Sequence, residues 1–296
     1  MDDGAEGSTG STSGLFPWWS FSKAVLSICA LRLVEEGRLD LDTPRPDKPY
    51  TLRHLLQHRA GLPDYGSLKA YHEAVARNDA PWPRQHLLEA VSADKLQFPP
   101  GAGWAYSNIG YLFVREAIEQ ATGLSLATAL QAFVLGPSQA SSARLATGPA
   151  DFRDVFWPAV QTYDPRWVYH GCLIGTSIDA AKVMHALVQG RLLQPGTLHT
   201  MLVRHELGGA LPGRPWTTGS YGLGLMSGLM GDSGRAVGHS GGGPGCVAAI
   251  YHFPDVAAPI TTAVFAEGDN EGLVEFEAAS MALRSDSRSQ RRNPTG

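Results

Sequence analysis

The sequence predicts an α/β (α+β) fold made of an early helix, a helix-rich middle, and a C-terminal antiparallel sheet followed by a last helix. Three observations support this prediction. An almost uncharged helical run covers residues 20–34, apolar residues recur every three or four positions through the middle of the chain, and short β-rich segments separated by turn residues follow from residue 220. Consecutive strands at such short spacing pair antiparallel.

Composition limits the classes of function. The 296 residues are 43% hydrophobic and 18% charged, as in an ordinary globular protein with ample core. A net charge of -4 gives no electrostatic reason to bind nucleic acid or anionic membrane, and no apolar run reaches the length of about 18 residues that spans a bilayer. Cys29, Cys172 and Cys246 lie far apart in apolar stretches, which favours buried thiols over a disulfide framework or a zinc site. We expect no metal and no cofactor.

The two chain ends differ from the rest of the sequence. Residues 1–14 are acidic and rich in Gly, Ser and Thr, which predicts a flexible lead-in without the basic and apolar regions of a signal peptide. Residues 285–296 predict a polar, disordered tail. We expect a cytoplasmic protein if this is the full chain, and a periplasmic or secreted one if an export sequence was removed.

The helices are predicted from apolar periodicity and from residues that start and stop helices. The first begins at Ser20 after "GLFPWW" and stops before Gly37. A later helix opens with a capping-box pattern at Thr176 and Asp179 and closes on Gly190. Between them, helical segments separated by Pro or Gly are TLRHLLQH, SLKAYHEAVARN, PRQHLLEAVSA, GYLFVREAIEQATG and SLATALQAFVL.

The sheet is predicted from four short segments, and a helix is predicted to follow the last of them. The segments are SYGLGLMSG, RAVGHSG, GCVAAIYHF and PITTAVFAE. The last helical run covers residues 272–283.

Lys23 is the one charged residue between Glu6 and Arg32. A helix that is apolar nearly all round is buried, and a buried ammonium is costly. Ser20 lies three residues earlier, on the same helix face. Burial and the positive helix end both lower a lysine pKa, so Lys23 can take the Ser20 proton. The alternative is that Lys23 reaches the surface and Ser20 is only a helix cap.

Two further motifs carry polar side chains. In "FPPGAGWAYSNIGYLF", Tyr106 and Asn108 are two apart on an extended segment and therefore project the same way. A tyrosine can move a proton and an asparagine can hydrogen-bond an amide. In "AVGHSGGGPG", His239 and Ser240 end a β-like run, where a strand edge could pair with an extended substrate.

Ser-x-x-Lys, Tyr-Ser-Asn and His-Ser-Gly, in this order, resemble the motifs of the serine β-lactamase and penicillin-binding-protein superfamily. The middle motif looks like the Tyr-x-Asn version of class C β-lactamases, D-alanyl-D-alanine carboxypeptidases, D-aminopeptidases and related family VIII-type esterases. The surrounding segments "LRLVEEGRLDLD", "TLRHLLQHRAGLPDY" and "YGLGL" are similar as well, so the resemblance covers residues 15–283.

The resemblance implies a β-lactamase-like fold with an α/β domain from both chain ends, an inserted all-α domain, and a site in the cleft between them. In this chain the sheet domain would comprise residues 15–40 and 170–284, and the helical domain residues 41–169. Relatives carry a β-hairpin before the nucleophile helix, whereas only the lead-in precedes Ser20 here. We therefore expect either a sheet without its N-terminal hairpin, with an exposed edge, or a truncated chain.

The resemblance also implies the catalytic residues. Ser20 would be the nucleophile, Lys23 its partner and Tyr106 the general base. The backbone N–H groups of Ser20 and Gly242 would form the oxyanion hole.

The implied substrate-binding residues are Asn108, which would bind the substrate amide, and the third motif, His239, Ser240 and Gly241, which would hold a substrate carboxylate or leaving group. Histidine in place of lysine resembles carboxypeptidases, aminopeptidases and esterases more than β-lactamases. With a pKa near its reference value of about 6.5, His239 would be mostly neutral at pH 7.5 and would attract a carboxylate weakly.

The sequence thus predicts a serine hydrolase that acts through an acyl-enzyme on Ser20. We expect a small-molecule ester, amide or peptide as substrate, with at most weak β-lactamase activity. One alternative is a D-alanyl-D-alanine carboxypeptidase or a class C-type β-lactamase proper. An alternative of another class is a catalytically silent scaffold or ligand-sensing module with this fold.

Four other patterns were open to a functional interpretation. "GHSGG" matches a nucleophile elbow centred on Ser240, but an elbow needs a helix directly afterwards and strand-like residues follow. "GDSGR" at residues 231–235 is better explained as a turn. His54 and His58 are four apart and could bind a metal, yet no third ligand is evident. Trp18 and Trp19 could line a pocket or pack against the next helical turn.

Overall fold

The computed structural model describes residues 7–45 and 47–292. Residues 1–6 of the expected lead-in and residues 293–296 of the expected tail lie outside the described residues, and residues 7–14 form no helix or strand. The helices are α1 Phe21–Glu35, α2 Leu52–Leu56, α3 Lys69–Ala76, α4 Arg84–Ala90, α5 Asn108–Thr122, α6 Leu126–Leu130, α7 Pro149–Phe152, α8 Ser177–Val188, α9 Pro195–Leu202 and α10 Glu271–Arg292. The strands are β1 Phe16–Pro17, β2 Arg144–Ala146, β3 Cys172–Gly175, β4 His205–Gly208, β5 Trp216–Tyr221, β6 Met226–Met230, β7 Arg235–Gly243, β8 Cys246–Phe253 and β9 Ile260–Glu267.

Helix α1 lies in the core of the molecule. It is buried continuously from Phe21 to Leu31, and it packs against α5, β7 and β8. The helix predicted over residues 20–34 is confirmed, with Ser20 at its N-cap. It ends where Gly37, at φ +69, donates its N–H to the Val34 carbonyl.

The larger sheet contains the predicted C-terminal strands. Its order is β4-β5-β6-β7-β8-β9, and every neighbouring pair is antiparallel, as predicted. The predicted strand through "YGLGL" is interrupted by the turn between β5 and β6. Gly224 in that turn has φ +83, and a Cβ there would lie 2.0 Å from Ser27 Oγ on α1. Only glycine lets the turn approach the helix this closely.

A small second sheet, which the sequence did not predict, holds the entry to α1. Its order is β1-β3-β2, and both pairs are antiparallel. Trp18 adds a hydrogen bond from its N–H to the Leu173 carbonyl, at 2.8 Å. Strand β1 has two residues, too few for a period-2 pattern to be recognised in the sequence. The sheet fixes the chain immediately before Ser20.

The middle of the chain forms the predicted helices, α2 to α6. Helices α2, α3 and α4 are shorter than the predicted segments, whereas α5 begins two residues earlier, at Asn108. A π-helical turn, Gln131–Leu135, continues α6. Helix α9 was not predicted because Pro195 and Gly196 resemble a turn, although proline is well tolerated at the first helical position. The division of the chain into a sheet domain and a helical domain stays a prediction.

The end of the chain differs from the expected disordered tail. Helix α10 was predicted to stop at residue 283 but continues to Arg292. Neither glycine nor proline lies between residues 273 and 293, so nothing in the sequence interrupts the helical hydrogen bonds. The first half of α10 packs on β8 and β9. Strand β9 is the last strand of the sheet within the described residues.

The cysteines and the apolar character of the helices can be compared with the predictions from composition. The three cysteines are free and buried, as predicted. No helix among the described residues combines the length and the apolar character needed to cross a membrane.

Candidate active site

Ser20 lies at the turn that leads into α1. Its side chain makes no capping hydrogen bond, so the interpretation of Ser20 as a mere helix cap is wrong. The preceding residue, Trp19, has φ +42, a left-handed conformation that is strained for a tryptophan. Trp19 is held there by packing, since its indole donates to Cys246 Sγ at 3.2 Å and meets Tyr163 edge-on. Trp18 and Trp19 are both buried, so they anchor the turn and do not line an open pocket.

Lys23 is fully buried, and its Nζ lies 3.1 Å from Ser20 Oγ. The alternative in which its side chain reaches the surface is therefore wrong. Burial lowers the pKa of Lys23 to about 7, although the negative charge of Asp64 by itself would raise it. A substantial fraction of the lysine is thus a neutral amine near pH 7, and a neutral amine can accept the serine proton.

Tyr106 contacts the same serine oxygen from the other side. Its hydroxyl donates to Ser20 Oγ at 2.9 Å, and its ring packs on His58 with centroids 4.2 Å apart. Burial raises the pKa of Tyr106 well above its ordinary value, although the bond to Ser20 opposes this. A tyrosine that acted as a phenolate base would need the opposite shift. The environment favours a neutral phenol that donates a proton.

His170 is a site residue that the sequence analysis missed. Its Nε2 lies 3.2 Å from Lys23 Nζ, and its Nδ1 has no hydrogen-bond partner among the described residues. Burial, reinforced by the Lys23 charge, holds the pKa of His170 well below its ordinary value, so the imidazole is neutral. Because His170 is 147 residues from Lys23 in the chain, local spacing gives no signal for this contact.

Asn108 begins α5 and is oriented by Asp64, a second residue that was missed. Asp64 accepts from the backbone N–H of Asn108 at 2.7 Å and from its side-chain amide at 3.3 Å. This leaves the Asn108 amide oxygen to accept from a ligand. The neighbouring Ser107 caps α5 through its hydroxyl and donates its N–H to His58 Nδ1.

Strand β7 passes directly beside Ser20. A Cβ at Gly241 would lie 2.5 Å from the Ser20 backbone nitrogen. The pairing of β6 with β7 ends at Gly238, so residues 239–243 pair with β8 alone. Among the described residues the other edge of this segment is unpaired next to Ser20, where Gly242 could present its N–H to a substrate.

His239 lies in this segment but does not have the expected pKa. Its Nε2 is 2.8 Å from the Tyr221 hydroxyl, and its Nδ1 contacts the Ser240 carbonyl. Burial, with a further contribution from Lys23, lowers the pKa of His239 to about 3. The expectation of a value near 6.5 is therefore wrong, because it assumed a solvated ring. His239 is neutral throughout the physiological range.

Ser240 points away from His239, as neighbouring residues of a strand do. Its Oγ accepts from Arg214 Nη2 at 2.6 Å and donates to Glu271 Oε2 at 3.2 Å. Strand β8 follows where a nucleophile elbow needs a helix, so that alternative for Ser240 is excluded.

The remaining candidate residues have structural contacts. His54 Nδ1 accepts the Thr51 N–H, and His58 Nδ1 accepts the Ser107 N–H. Within the described residues no group of three or more His, Cys, Asp or Glu is arranged to hold a metal ion. The "GDSGR" segment forms a turn in which Ser233 Oγ donates to the Met230 carbonyl.

Comparisons with known proteins agree with this fold. A family model described as Beta-lactamase matches residues 3–284. Among curated proteins, penicillin-binding protein 4* of Bacillus subtilis is 33% identical over 146 residues, which is 45% of this chain and 31% of that protein. Esterase EstB of Burkholderia gladioli is 31% identical over 144 residues, 42% of this chain and 36% of the esterase. The matching segments thus span about a third of the length of these curated relatives.

Solved structures show the same fold at lower identity. The D-amino acid amidase from Ochrobactrum anthropi SV3 superposes with a TM-score of 0.77 at 22% identity, covering 95% of this chain and 86% of the amidase. A D-stereospecific amidohydrolase from Streptomyces sp. gives a TM-score of 0.75 at 24% identity, covering 91% of this chain and 87% of that one. The predicted fold class is confirmed.

The contact between His170 and Lys23 predicts a change in the pH dependence of Ser20 reactivity. An acceptor stabilises an ammonium more than a neutral amine, so His170→Leu should lower the Lys23 pKa further. The rate of Ser20 labelling by a fluorophosphonate should rise with pH through a midpoint near the Lys23 pKa of about 7 in the wild type. The midpoint should be lower in the variant. An unchanged or higher midpoint would show that His170 does not act on Lys23.

Because β7 passes so close to Ser20, adding one methyl group at Gly241 should strongly reduce the reactivity of Ser20. Gly241→Ala places a Cβ against the Ser20 backbone and should slow fluorophosphonate labelling by about a hundredfold, the usual cost of a displacement near 1 Å. Gly219→Ala on β5 is the matched control, because a Cβ there meets nothing within 4 Å. Equal labelling rates in the two variants would contradict the close approach.

Proposed function

The chain belongs to the β-lactamase family of serine hydrolases, and from this membership we propose that it hydrolyses small esters or amides through an acyl-enzyme on Ser20. One observation carries the proposal. Ser20 Oγ lies 3.1 Å from the buried amine of Lys23 and 2.9 Å from the Tyr106 hydroxyl. A nucleophile, a proton acceptor and a proton donor therefore meet at one atom.

Acylation begins with the neutral form of Lys23. The amine takes the Ser20 proton while Oγ bonds to the substrate carbonyl carbon, and the carbonyl π electrons move to the oxygen. The resulting oxyanion would be stabilised by the backbone N–H groups of Ser20 and Gly242 and by the positive end of α1. The Ser20 N–H suits this role, since it has no hydrogen-bond acceptor among the described residues.

Tyr106 completes acylation as a proton donor. As the tetrahedral intermediate collapses, the bond to the leaving group breaks and Tyr106 gives its proton to the departing oxygen or nitrogen. Lys23, now an ammonium, then returns the serine proton to the Tyr106 phenolate while Oγ stays bonded to the acyl group. Both side chains contact Ser20 Oγ, so they lie close to each other. Water releases the acyl group with the same roles. The Lys23 amine takes a proton from water as its oxygen bonds to the acyl carbon, and Tyr106 gives its proton to Ser20 Oγ as the bond between Oγ and that carbon breaks. This assignment makes Lys23 the first proton acceptor, because burial favours a neutral amine and disfavours a phenolate.

The third motif supports substrates without a carboxylate. A carboxylate would need a free cation beside Ser240. The buried His239 is neutral, and Arg214, which contacts Ser240, is already paired with the carboxylates of Glu275 and Glu271. The similarity to an esterase and to a D-amino acid amidase makes ester and amide bonds the natural first substrates to test. A catalytically silent module is a weaker proposal, since Ser20, Lys23 and Tyr106 are all present and in contact.

The proposal is tested by mass spectrometry after exposure to p-nitrophenyl esters. One acyl adduct is expected, on the peptide that contains Ser20, and it should be absent from Ser20→Ala and present in Ser240→Ala. Short-chain esters or amides should be hydrolysed faster than a chromogenic cephalosporin from pH 6 to 8. An adduct on Ser240 would overturn the assignment of the nucleophile. A folded protein that forms no adduct with esters, amides or β-lactams would be a silent module.

A further inference from the structure

Glu271, the first residue of α10, places its carboxylate over β7 beside Ser20. A Cβ at Gly242 would lie 3.3 Å from Glu271 Oε1, while the adjacent Gly241 packs against the Ser20 backbone. The side chain of Glu271 is 33% exposed, so a ligand can reach it. A carboxylate thus lies next to the residue whose N–H is proposed to bind the substrate carbonyl oxygen.

The guanidinium of Arg214 beside Glu271 does not neutralise the site. Arg214 is paired with Glu275, which is fully buried, through contacts of 2.6 Å from Nε and 2.5 Å from Nη2. Glu271 Oε2 forms an ion pair with the same Nη2 at 3.0 Å and accepts a hydrogen bond from Ser240 Oγ at 3.2 Å. Two carboxylates share one guanidinium, which leaves one negative charge. Glu271 Oε1 has no hydrogen-bond partner among the described residues and is available to a ligand.

The other ionisable groups around Ser20 add little positive charge. Asp64 holds Asn108 and adds a second negative charge to the opposite side of the site. His239 is neutral, and both its ring nitrogens are occupied by Tyr221 and Ser240. The amine of Lys23 is buried behind Ser20 and is itself partly neutral near pH 7. A substrate group next to the scissile carbonyl therefore meets a negative potential.

We propose that Glu271 binds a substrate ammonium group, and that the preferred substrates are amides and esters with a free amino group close to the scissile carbonyl, as in amino-acid amides; this rests on the hydrolase function proposed above. An ammonium offers three donors to a carboxylate, and charge-assisted hydrogen bonds of this kind are about twice as strong as neutral ones. Because Glu271 Oε1 lies beside Gly242, the amino group must be near the carbonyl that Gly242 binds.

The experiment compares substrates that differ only in the amino group. Alanine p-nitroanilide, as each enantiomer, is compared with propionic acid p-nitroanilide at pH 6.5, where the amino group is charged. In the wild type, kcat/KM for the preferred alanine enantiomer should exceed that for the propionic anilide by about tenfold or more. Glu271→Gln keeps the shape and the hydrogen-bonding oxygen but loses the charge, so this ratio should fall by about tenfold.

Two controls distinguish loss of ammonium binding at Glu271 from a general effect of the substitution on the structure. Glu277→Gln changes an exposed carboxylate on the same helix, paired with Arg284, and should leave the ratio unchanged. The wild type provides a readout that needs no variant. Its ratio should decline as pH rises above the α-amino pKa of about 8, because the substrate then loses its charge.

Two failures can be told apart. A wild-type ratio near one, or a ratio that Glu271→Gln does not change, would overturn the ammonium site while an acyl adduct on Ser20 still supports the hydrolase. Hydrolysis of neither anilide, together with no adduct from any ester, would instead overturn the proposed function. A ratio below one would show that the site prefers uncharged acyl groups, which also contradicts the inference.

Discussion

The burial of the Lys23 amine beside Ser20 is the constraint on which the rest of the structure depends. Helix α1 can lie in the core because it is apolar nearly all round, and Lys23 is its one cationic exception before Arg32. Removing an ammonium from water is costly, so the core shifts the lysine towards its neutral form. Because burial disfavours the ammonium form, part of the Lys23 population is a neutral amine that can accept the Ser20 proton.

The surrounding elements keep that amine in place and keep solvent away from it. Strand β3 leads out of the segment that carries His170, which contacts the Lys23 amine. The same strand hydrogen-bonds the chain just before Ser20, and β7 approaches Ser20 closely because Gly241 has no side chain. The left-handed Trp19 is tolerated because its indole is packed and hydrogen-bonded. The Ser20 turn is therefore held in place by contacts with three parts of the chain: the segment with His170 and β3, strand β7, and the residues packed around Trp19.

Sequence reasoning found the parts of the site that depend on local spacing. Ser20 and Lys23 are one helical turn apart, and His239 to Gly241 end a segment with strand-like residues, so both parts of the site were predictable. His170, Asp64 and Glu271 were missed because they reach the site only through strand pairing and helix packing between distant segments. The His239 pKa was misjudged for the same reason, since its value follows from burial by other elements. Helix α9 and the end of α10 were missed because proline, glycine and polar residues do not by themselves prevent a helix.

The most direct test of the central claim is an NMR titration of the lysine side chains. The chain has five lysines, so protein labelled with carbon-13 at lysine Cε should give resolvable signals. Lys23→Met, which preserves the apolar volume, identifies the Lys23 signal by its disappearance. If burial keeps the amine neutral, that signal should titrate near pH 7, about three units below an exposed lysine. A Lys23 signal that titrates near pH 10, with the others, would contradict the role of Lys23 as the base for Ser20.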